Sequence, residues 1–281
     1  MSAAVPTIRA TSERVAELTE ALTEIRQRVA AASAKAAKPT GKPVLVAVSK
    51  YKPAGDLLAC YDEDQRDFGE NYVQELVDKA AQLPQDIRWH FIGTLQSNKA
   101  KILATIPNLY AIQTVTSIKA ASALNKALPA DRVAPLNILL QVNTSGEDAK
   151  SGVPPLSAAM PEAEVDAAEL VQVARFVVAE CPRLRLQGLM TIGALAESLA
   201  AGAKENEDFA RLVGTRDVLQ AALARAGFRP EEGRWGEDGR LLLSMGMSSD
   251  FEAALQAGSD IVRVGTGIFG SRPKKEEVKA Q

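Results

Sequence analysis

Apolar residues recur at alternating steps of three and four near the start of the chain. Val15, Leu18, Leu22, Ile25 and Val29 fall on one helical face. Thr11 and Ser12 precede them as a hydroxyl N-cap, so the spacing predicts a helix over about residues 12–32. From residue 44 the pattern changes. Compact apolar runs at 44–49, 67–68, 89–92, 110–115, 138–142, 186–192, 241–245 and 261–264 read as strands buried on both faces. Helical patterns separate them, such as Val73, Leu76, Val77 and Ala80, or Leu170, Val173, Ala174 and Val177, or Phe209, Leu212, Val213, Leu219 and Leu223.

Strands that alternate with helical crossovers run parallel. Eight of them in 281 residues fit one α/β domain over 1–281, a (β/α)8 TIM-type barrel. Its core spans about 44–270, behind the extra N-terminal helix. A doubly wound open sheet is the alternative. No Gly-rich strand-to-helix turn with an acidic residue downstream follows the first run, which argues against the dinucleotide-binding version. Three stretches read as surface elaborations: an Ala/Lys/Pro linker at 32–43, a Pro-containing segment at 153–165, and a Gly/Glu/Arg-rich segment at 227–240. The charged tail 272–281 reads as frayed.

Composition removes whole classes of function. A formal net charge of -2 lacks the basic excess of a nucleic-acid binder. No apolar run approaches the roughly 20 residues of a membrane-spanning helix. Cys60 and Cys181 both sit beside apolar residues and read as core thiols of a reducing compartment, not as a disulfide. The first residues lack a secretory core, and Glu13, Glu17 and Glu20 argue against a mitochondrial presequence, so the cytoplasm is expected, with the mitochondrion as the alternative. A monomer is expected rather than a dimer.

Lys50 closes the first strand run, Val44-Leu45-Val46-Ala47-Val48-Ser49. On that segment alone, a lysine that snorkels from a strand end to water is the simpler reading. An amine held at the mouth of an apolar core is also desolvated, which lowers its pKa and makes it a nucleophile toward carbonyls. The other strand ends favour the second reading. Barrel chemistry belongs at the carboxyl ends of the strands. That face collects Lys50, Gly69 to Tyr72, His90, Gly93, Asn143, Met190, Thr191, Ser244 to Ser248, Arg263, Gly265 and Thr266. One lysine, one arginine, hydroxyls and glycines suit an anionic carbonyl compound. His90 is the only histidine, and no set of side chains has metal-ligand spacing. Loops after strands seven and eight are a customary phosphate site, although Gly265-Thr266-Gly267 could equally be a tight turn. A phosphate cradle opposite a strand-end lysine describes a pyridoxal phosphate site, with Arg263 placed to address the ring nitrogen.

Six motifs carry a resemblance. They are Ala47-Val48-Ser49-Lys50, Phe68-Gly69-Glu70-Asn71-Tyr72-Val73-Gln74-Glu75, and Trp89-His90-Phe91-Ile92-Gly93-x-Leu95-Gln96-x-Asn98-Lys99. Then follow Gly188-Leu189-Met190-Thr191-Ile192, Leu243-Ser244-Met245-Gly246-Met247-Ser248-x-Asp250, and Val262-Arg263-Val264-Gly265-Thr266-Gly267-Ile268-Phe269-Gly270. In this order, from about Val44 to Gly270, they resemble the pyridoxal phosphate homeostasis proteins, also called proline synthetase co-transcribed homologues. The resemblance implies a fold-type III barrel similar to the alanine racemase N-terminal domain. It implies a covalent aldimine of pyridoxal 5′-phosphate on Lys50, and phosphate contacts near Ser248, Gly265 and Thr266. Asn71, Met245 and Arg263 complete the expected cofactor-binding set. The segments 153–165 and 227–240 are enlarged relative to that pattern.

Other candidates keep two readings. Asn71 lines the pocket or ends a strand in an Asx turn. His90 is more often a satisfied core histidine than a catalyst, and Arg263 could be a structural ion pair. Glu70 and Glu75 read as solvated or capping residues of the following helix. Lys99 and Lys150 read as exposed lysines, or as transient acceptors of the aldehyde. The expected function is intracellular storage and delivery of pyridoxal phosphate without turnover, with apo forms of dependent enzymes as partners. An arginine on the ring nitrogen only donates and leaves the ring a weak electron sink. A racemase would also need an acid or base on the second face, and Tyr51, Tyr61, Tyr72 and Tyr110 do not recreate one by position. A racemase-like enzyme remains the alternative, and a regulatory cofactor sensor a third.

Overall fold

The computed structural model describes residues 8–36, 41–147, 150–194 and 206–271. The tail expected to fray at 272–281 lies outside the described residues. Eight parallel strands close in sequence order: β1 (Val44–Val48), β2 (Asp67–Glu70), β3 (Arg88–Phe91), β4 (Leu109–Val115), β5 (Leu136–Gln141), β6 (Leu184–Met190), β7 (Leu242–Ser244) and β8 (Ile261–Val264). β1 closes the barrel on β8, with Val46 opposite Arg263 and Ala47 opposite Val264.

The first helix, α1 (Ser12–Ser33), starts where Thr11 accepts a bond from the Arg14 amide. Its buried stripe of Leu18, Leu22, Ile25 and Val29 faces α2 (Ala54–Asp62) and two short helices near the end of the chain. At about 1.5–3 kcal/mol per fully buried aliphatic side chain, that stripe holds the helix on the barrel. The crossovers then run α3 (Val73–Gln82), α4 (Ala100–Ala104), α5 (Ile118–Ala127), α6 (Glu162–Ala167), α7 (Glu169–Glu180) and α8 (Glu207–Arg225). The short helices against α1 are α9 (Phe251–Gln256) and α10 (Thr266–Phe269). Arg14 joins three of these pieces, donating to Asp56 at 2.8 Å and to the Phe269 carbonyl at 2.9 Å.

Strand residues alternate between two cores. Those facing the helices, such as Ala47, Phe68, Trp89, Ile138, Leu243 and Val264, join the large outer core. Val46, Leu139, Met190 and Ile261 form a small apolar layer inside the barrel. Val44 and Leu242 pack against that layer, and buried polar side chains such as His90, Gln113, Ser244 and Arg263 stand beside it.

The two enlarged segments are not mere surface elaborations. In 153–165, Val153 pairs with Val142 beyond the end of β5, and Leu156 and Val165 are buried. In 227–240, Trp235 is only 3% exposed and bridges to Leu186 of β6, and Leu186 N–H donates to the Arg234 carbonyl. The first extends the end of β5, and the second pairs with β6 on the edge that faces β7.

Candidate functional site

Lys50 follows the end of β1, half-buried on the carboxyl-terminal rim. The backbone on both sides of it is held. Ser49 N–H donates to the Gly69 carbonyl at 3.0 Å. Lys79 of α3 donates to the Ser49 carbonyl at 2.7 Å, to Glu70 Oε1 at 2.6 Å and to Glu75 Oε1 at 2.7 Å. Glu75 Oε1 in turn accepts the Tyr51 N–H at 2.6 Å. Tyr51 has φ +62, a left-handed conformation that a bulky residue adopts only when its surroundings impose it. The Ser49 hydroxyl donates to Glu70 Oε1 at 2.6 Å.

This corrects the reading of Glu70 as a solvated or capping residue of the following helix, whereas Glu75 does lie in the first turn of α3. Glu70 is the last residue of β2, not part of the helix, and is 0% exposed. Burial pushes its carboxyl up from the ordinary value, with Lys79 and Ser49 holding it back. The motif sequence contains both acids but hides that α3 lays Lys79 between them.

Across the β1–β8 seam stands Arg263, 4% exposed inside the barrel. Its guanidinium donates to Ser244 Oγ and to the Thr191 carbonyl, each at 2.7 Å. Burial lowers its pKa to about 10, which leaves it charged at neutral pH. Two residues on, Ser248 Oγ accepts the Gly265 N–H at 3.1 Å and the Gly267 N–H at 3.4 Å, with Thr266 exposed between them. A Cβ on Gly265 would stand 3.3 Å from the Val48 carbonyl, so this loop presses on the end of the lysine strand. A Cβ on Gly267 would meet Ile25 at 3.0 Å, so α1 supports the loop from behind. Gly246 has φ +92, and a Cβ there would lie 2.5 Å from that of Ala254, so only glycine fits the turn after β7.

Asn71 lines a cavity of about 240 Å³ on the same rim, together with Gly93, Thr114, Asn143, Thr191 and Lys150. Its Oδ1 is buried without a hydrogen-bond partner. Lys50, Arg263, Ser248, Gly265 and Thr266 do not line this cavity. Lys150 donates to Glu147 at 2.8 Å and to the Gly193 carbonyl at 2.7 Å, so it belongs to this rim, whereas Lys99 lies in a 3-10 turn (Ser97–Lys99) away from the cavity lining.

Met245 departs from the expected set. Its side chain is 0% exposed and packs in the outer core, and its carbonyl accepts the Ser259 hydroxyl at 2.8 Å. Side-chain alternation turns Ser244 of β7 inward, where it accepts from Arg263, and Met245 outward. His90 is 0% exposed and bonded on both ring nitrogens, by Asp67 and Gln113, both at 3.0 Å. The thiols of Cys60 and Cys181 are buried and pushed up to about 12 and about 11 by desolvation, which keeps them protonated and unreactive. Among the described residues no group of His, Cys, Asp or Glu could hold a metal, and no helix is long and apolar enough to cross a membrane.

Comparisons with known proteins agree with this geometry. Residues 21–273 match the family model of the alanine racemase N-terminal domain. The pyridoxal phosphate homeostasis protein of Schizosaccharomyces pombe is 42% identical over 233 residues, 83% of this chain and 86% of the relative. That of Escherichia coli is 39% identical over 255 residues, 89% of this chain and 95% of the relative. Among solved structures, Synechococcus elongatus PipY with pyridoxal phosphate bound superposes with TM-score 0.63 at 29% identity, covering 90% of this chain and 100% of that one. Alanine racemase from E. faecalis shares the fold alone, with TM-score 0.58 at 17% identity over 92% of this chain and 59% of that one. An eight-stranded parallel barrel, motifs in one order on its carboxyl-terminal rim, and this level of identity over most of both chains place the protein in the pyridoxal phosphate homeostasis family, within the alanine racemase N-terminal domain fold.

Proposed function

We propose that the protein binds pyridoxal 5′-phosphate as a Schiff base on Lys50 and holds it for delivery to other proteins rather than for turnover. The observation that carries this reading is the pairing across the β1–β8 seam. A strand-end amine stands on one side, and a buried guanidinium with a glycine loop stands on the other. The names of the relatives and the cofactor bound to PipY support the same ligand.

The residues present fit the group. The two N–H groups now gathered by Ser248 Oγ, with the Thr266 hydroxyl beside them, suit a phosphate dianion. The unsatisfied Asn71 Oδ1 offers an acceptor on the cavity side. The Lys50 amine would condense with the aldehyde, forming the C=N bond and releasing water. Bound, the cofactor supplies an electron sink. Arg263 weakens it, because a guanidinium donates to the ring nitrogen but does not protonate it. Binding without efficient carbanion chemistry is what a carrier needs.

The test is the visible spectrum of purified protein mixed with pyridoxal phosphate, followed by borohydride reduction and peptide mapping. The label should sit on Lys50, and Lys50→Ala should lose the colour while keeping the fold, since the side chain fills little core. A label found mainly on another lysine refutes the assignment. Loaded protein should also activate an apo-enzyme. Steady inversion or α-proton exchange of an amino acid at about 1 per second or faster, abolished by Lys50→Ala, would replace the carrier with an enzyme.

A further inference from the structure

A row of buried polar side chains crosses the barrel interior from its amino-terminal floor to Arg263. At the floor, Asp67 accepts bonds from Arg88 Nε at 2.8 Å and from His90 Nε2 at 3.0 Å. Burial alone would raise the Asp67 carboxyl, but the bonds from Arg88 and His90 outweigh it and hold it at about 2. Gln113 Nε2 reaches His90 Nδ1 at 3.0 Å, and Gln113 Oε1 accepts the Ser244 hydroxyl at 2.7 Å. Ser244 Oγ accepts from Arg263 Nη1 at 2.7 Å.

The chemistry of the groups fixes the direction of every link. An amide nitrogen can only donate, so His90 Nδ1 accepts and Nε2 carries the hydrogen that points at Asp67. Ser244 accepts from a guanidinium and passes its own hydrogen to Gln113. The chain therefore donates one way, from Arg263 through Ser244, Gln113 and His90 to a carboxylate. A cation begins it and an anion ends it, and hydrogen bonds aligned in this sense polarise one another. Filling space does not require such a row. Elsewhere the same interior is filled by Val46, Leu139, Met190 and Ile261, and apolar packing is often the more stable choice.

We propose that Ser244, Gln113 and His90 are positioning residues that aim the Arg263 guanidinium at the ring nitrogen of the cofactor and couple it to Asp67 on the barrel floor. This rests on the reading of Arg263 as the ring-nitrogen partner. The relay is local to the barrel interior and separate from the Lys79 network that holds Lys50.

One property of the chain makes the relay directly observable. His90 is the only histidine, so 15N-histidine labelling gives one imidazole. In the wild type, the hydrogen resides on Nε2, and both ring signals move when pyridoxal phosphate is loaded, although the imidazole is two side chains from Arg263. In Ser244→Ala the response to loading drops by at least about half, and the pH titration of the lysine-bound chromophore moves by about half a pH unit or more. Ser244→Thr, which keeps the hydroxyl, restores both. A residue that only fills space would lower the melting temperature in Ser244→Ala and leave both readouts unchanged, which overturns the relay. If Ser244→Ala does not fold, the wild-type spectrum decides alone, and imidazole signals that ignore loading overturn the relay. The underlying reading fails separately. If Arg263→Gln leaves the chromophore titration unmoved, the ring-nitrogen role is wrong. If Arg263→Gln moves it and Ser244→Ala does not, only the relay is wrong.

Discussion

Lys79→Met removes the charge that holds the lysine strand end, and its cost follows from the buried groups it leaves behind. Lys79 Nζ donates to Ser49, Glu70 and Glu75 at 2.6–2.7 Å, and Glu70 is 0% exposed. Methionine keeps most of the length and none of the charge. Removing one member of a buried pair costs about 3–5 kcal/mol, because the other charge stays buried without its counter-charge. The pH dependence has a definite sign. Burial already raises Glu70 above its ordinary value of 4.5 with Lys79 in place, and without Lys79 it rises further. A carboxyl raised in the folded state keeps a proton that the unfolded chain releases. Stability is therefore greatest below the unfolded value and falls as pH climbs to the folded one. Urea unfolding at about pH 8 should show the full deficit of about 3 kcal/mol or more, and at about pH 5 a smaller one. The double variant Glu70→Gln, Lys79→Met should recover about 2 kcal/mol at the higher pH, since a neutral amide replaces the stranded carboxylate. An equal deficit at both pH values, with no recovery in the double variant, would refute the reasoning. Because Lys79 also fixes the Ser49 carbonyl, and Glu75 the Tyr51 N–H, the single variant should bind pyridoxal phosphate about tenfold more weakly.

Two further variants probe the rim. Thr266→Glu sets a carboxylate beside the Gly265 and Gly267 amides. It should weaken pyridoxal phosphate binding about tenfold or more in equilibrium titrations while leaving unphosphorylated pyridoxal little changed; equal losses for both ligands would mean the loop holds no phosphate. Gly93→Ala adds a Cβ that would lie 1.9 Å from the Asn71 carbonyl. It should destabilise the fold by about 1–3 kcal/mol and loosen cofactor binding by displacing Asn71, and an unchanged melting temperature would show that the rim yields freely.

The sequence exposed the element order because each strand is a dense apolar run and each crossover has a helical stripe. That density also concealed orientation. In a strand buried on both faces, apolar residues mark neither side, so nothing in Leu243-Ser244-Met245 said that Ser244 points inward and Met245 outward. His90 read as a satisfied core histidine and is one, but its partners Asp67 and Gln113 come from two other strands, and Gln113 in turn accepts from Ser244 of a third. Glu70 was misjudged because a carboxylate after a short run resembles a helix cap, whereas the buried lysine that neutralises it lies nine residues on. The pair Glu75 and Lys79 was available as an i,i+4 match. Composition misled at 227–240, where Gly, Glu and Arg suggest a solvated loop but Trp235 anchors it to β6.

The two cationic elements of the candidate site lie on opposite sides of one sheet seam, and each is held by its own hydrogen-bond network. Outside the sheet, Glu70, Glu75 and Lys79 fix the backbone on either side of Lys50. Inside it, Ser244 and Thr191 fix the guanidinium of Arg263. Apart from Glu70 Oε2, which is buried without a partner, both networks make their hydrogen bonds without a ligand. Preorganisation of this kind removes the ordering entropy that binding would otherwise have to overcome. Asn71 Oδ1 also stays unsatisfied on the rim, and the Gly265 and Gly267 amides share the hydroxyl of a single serine. A rigid frame around a small set of unmet hydrogen-bonding groups favours tight, geometrically selective capture. Release must then come from the rim, where Thr266 is exposed, rather than from either buried network.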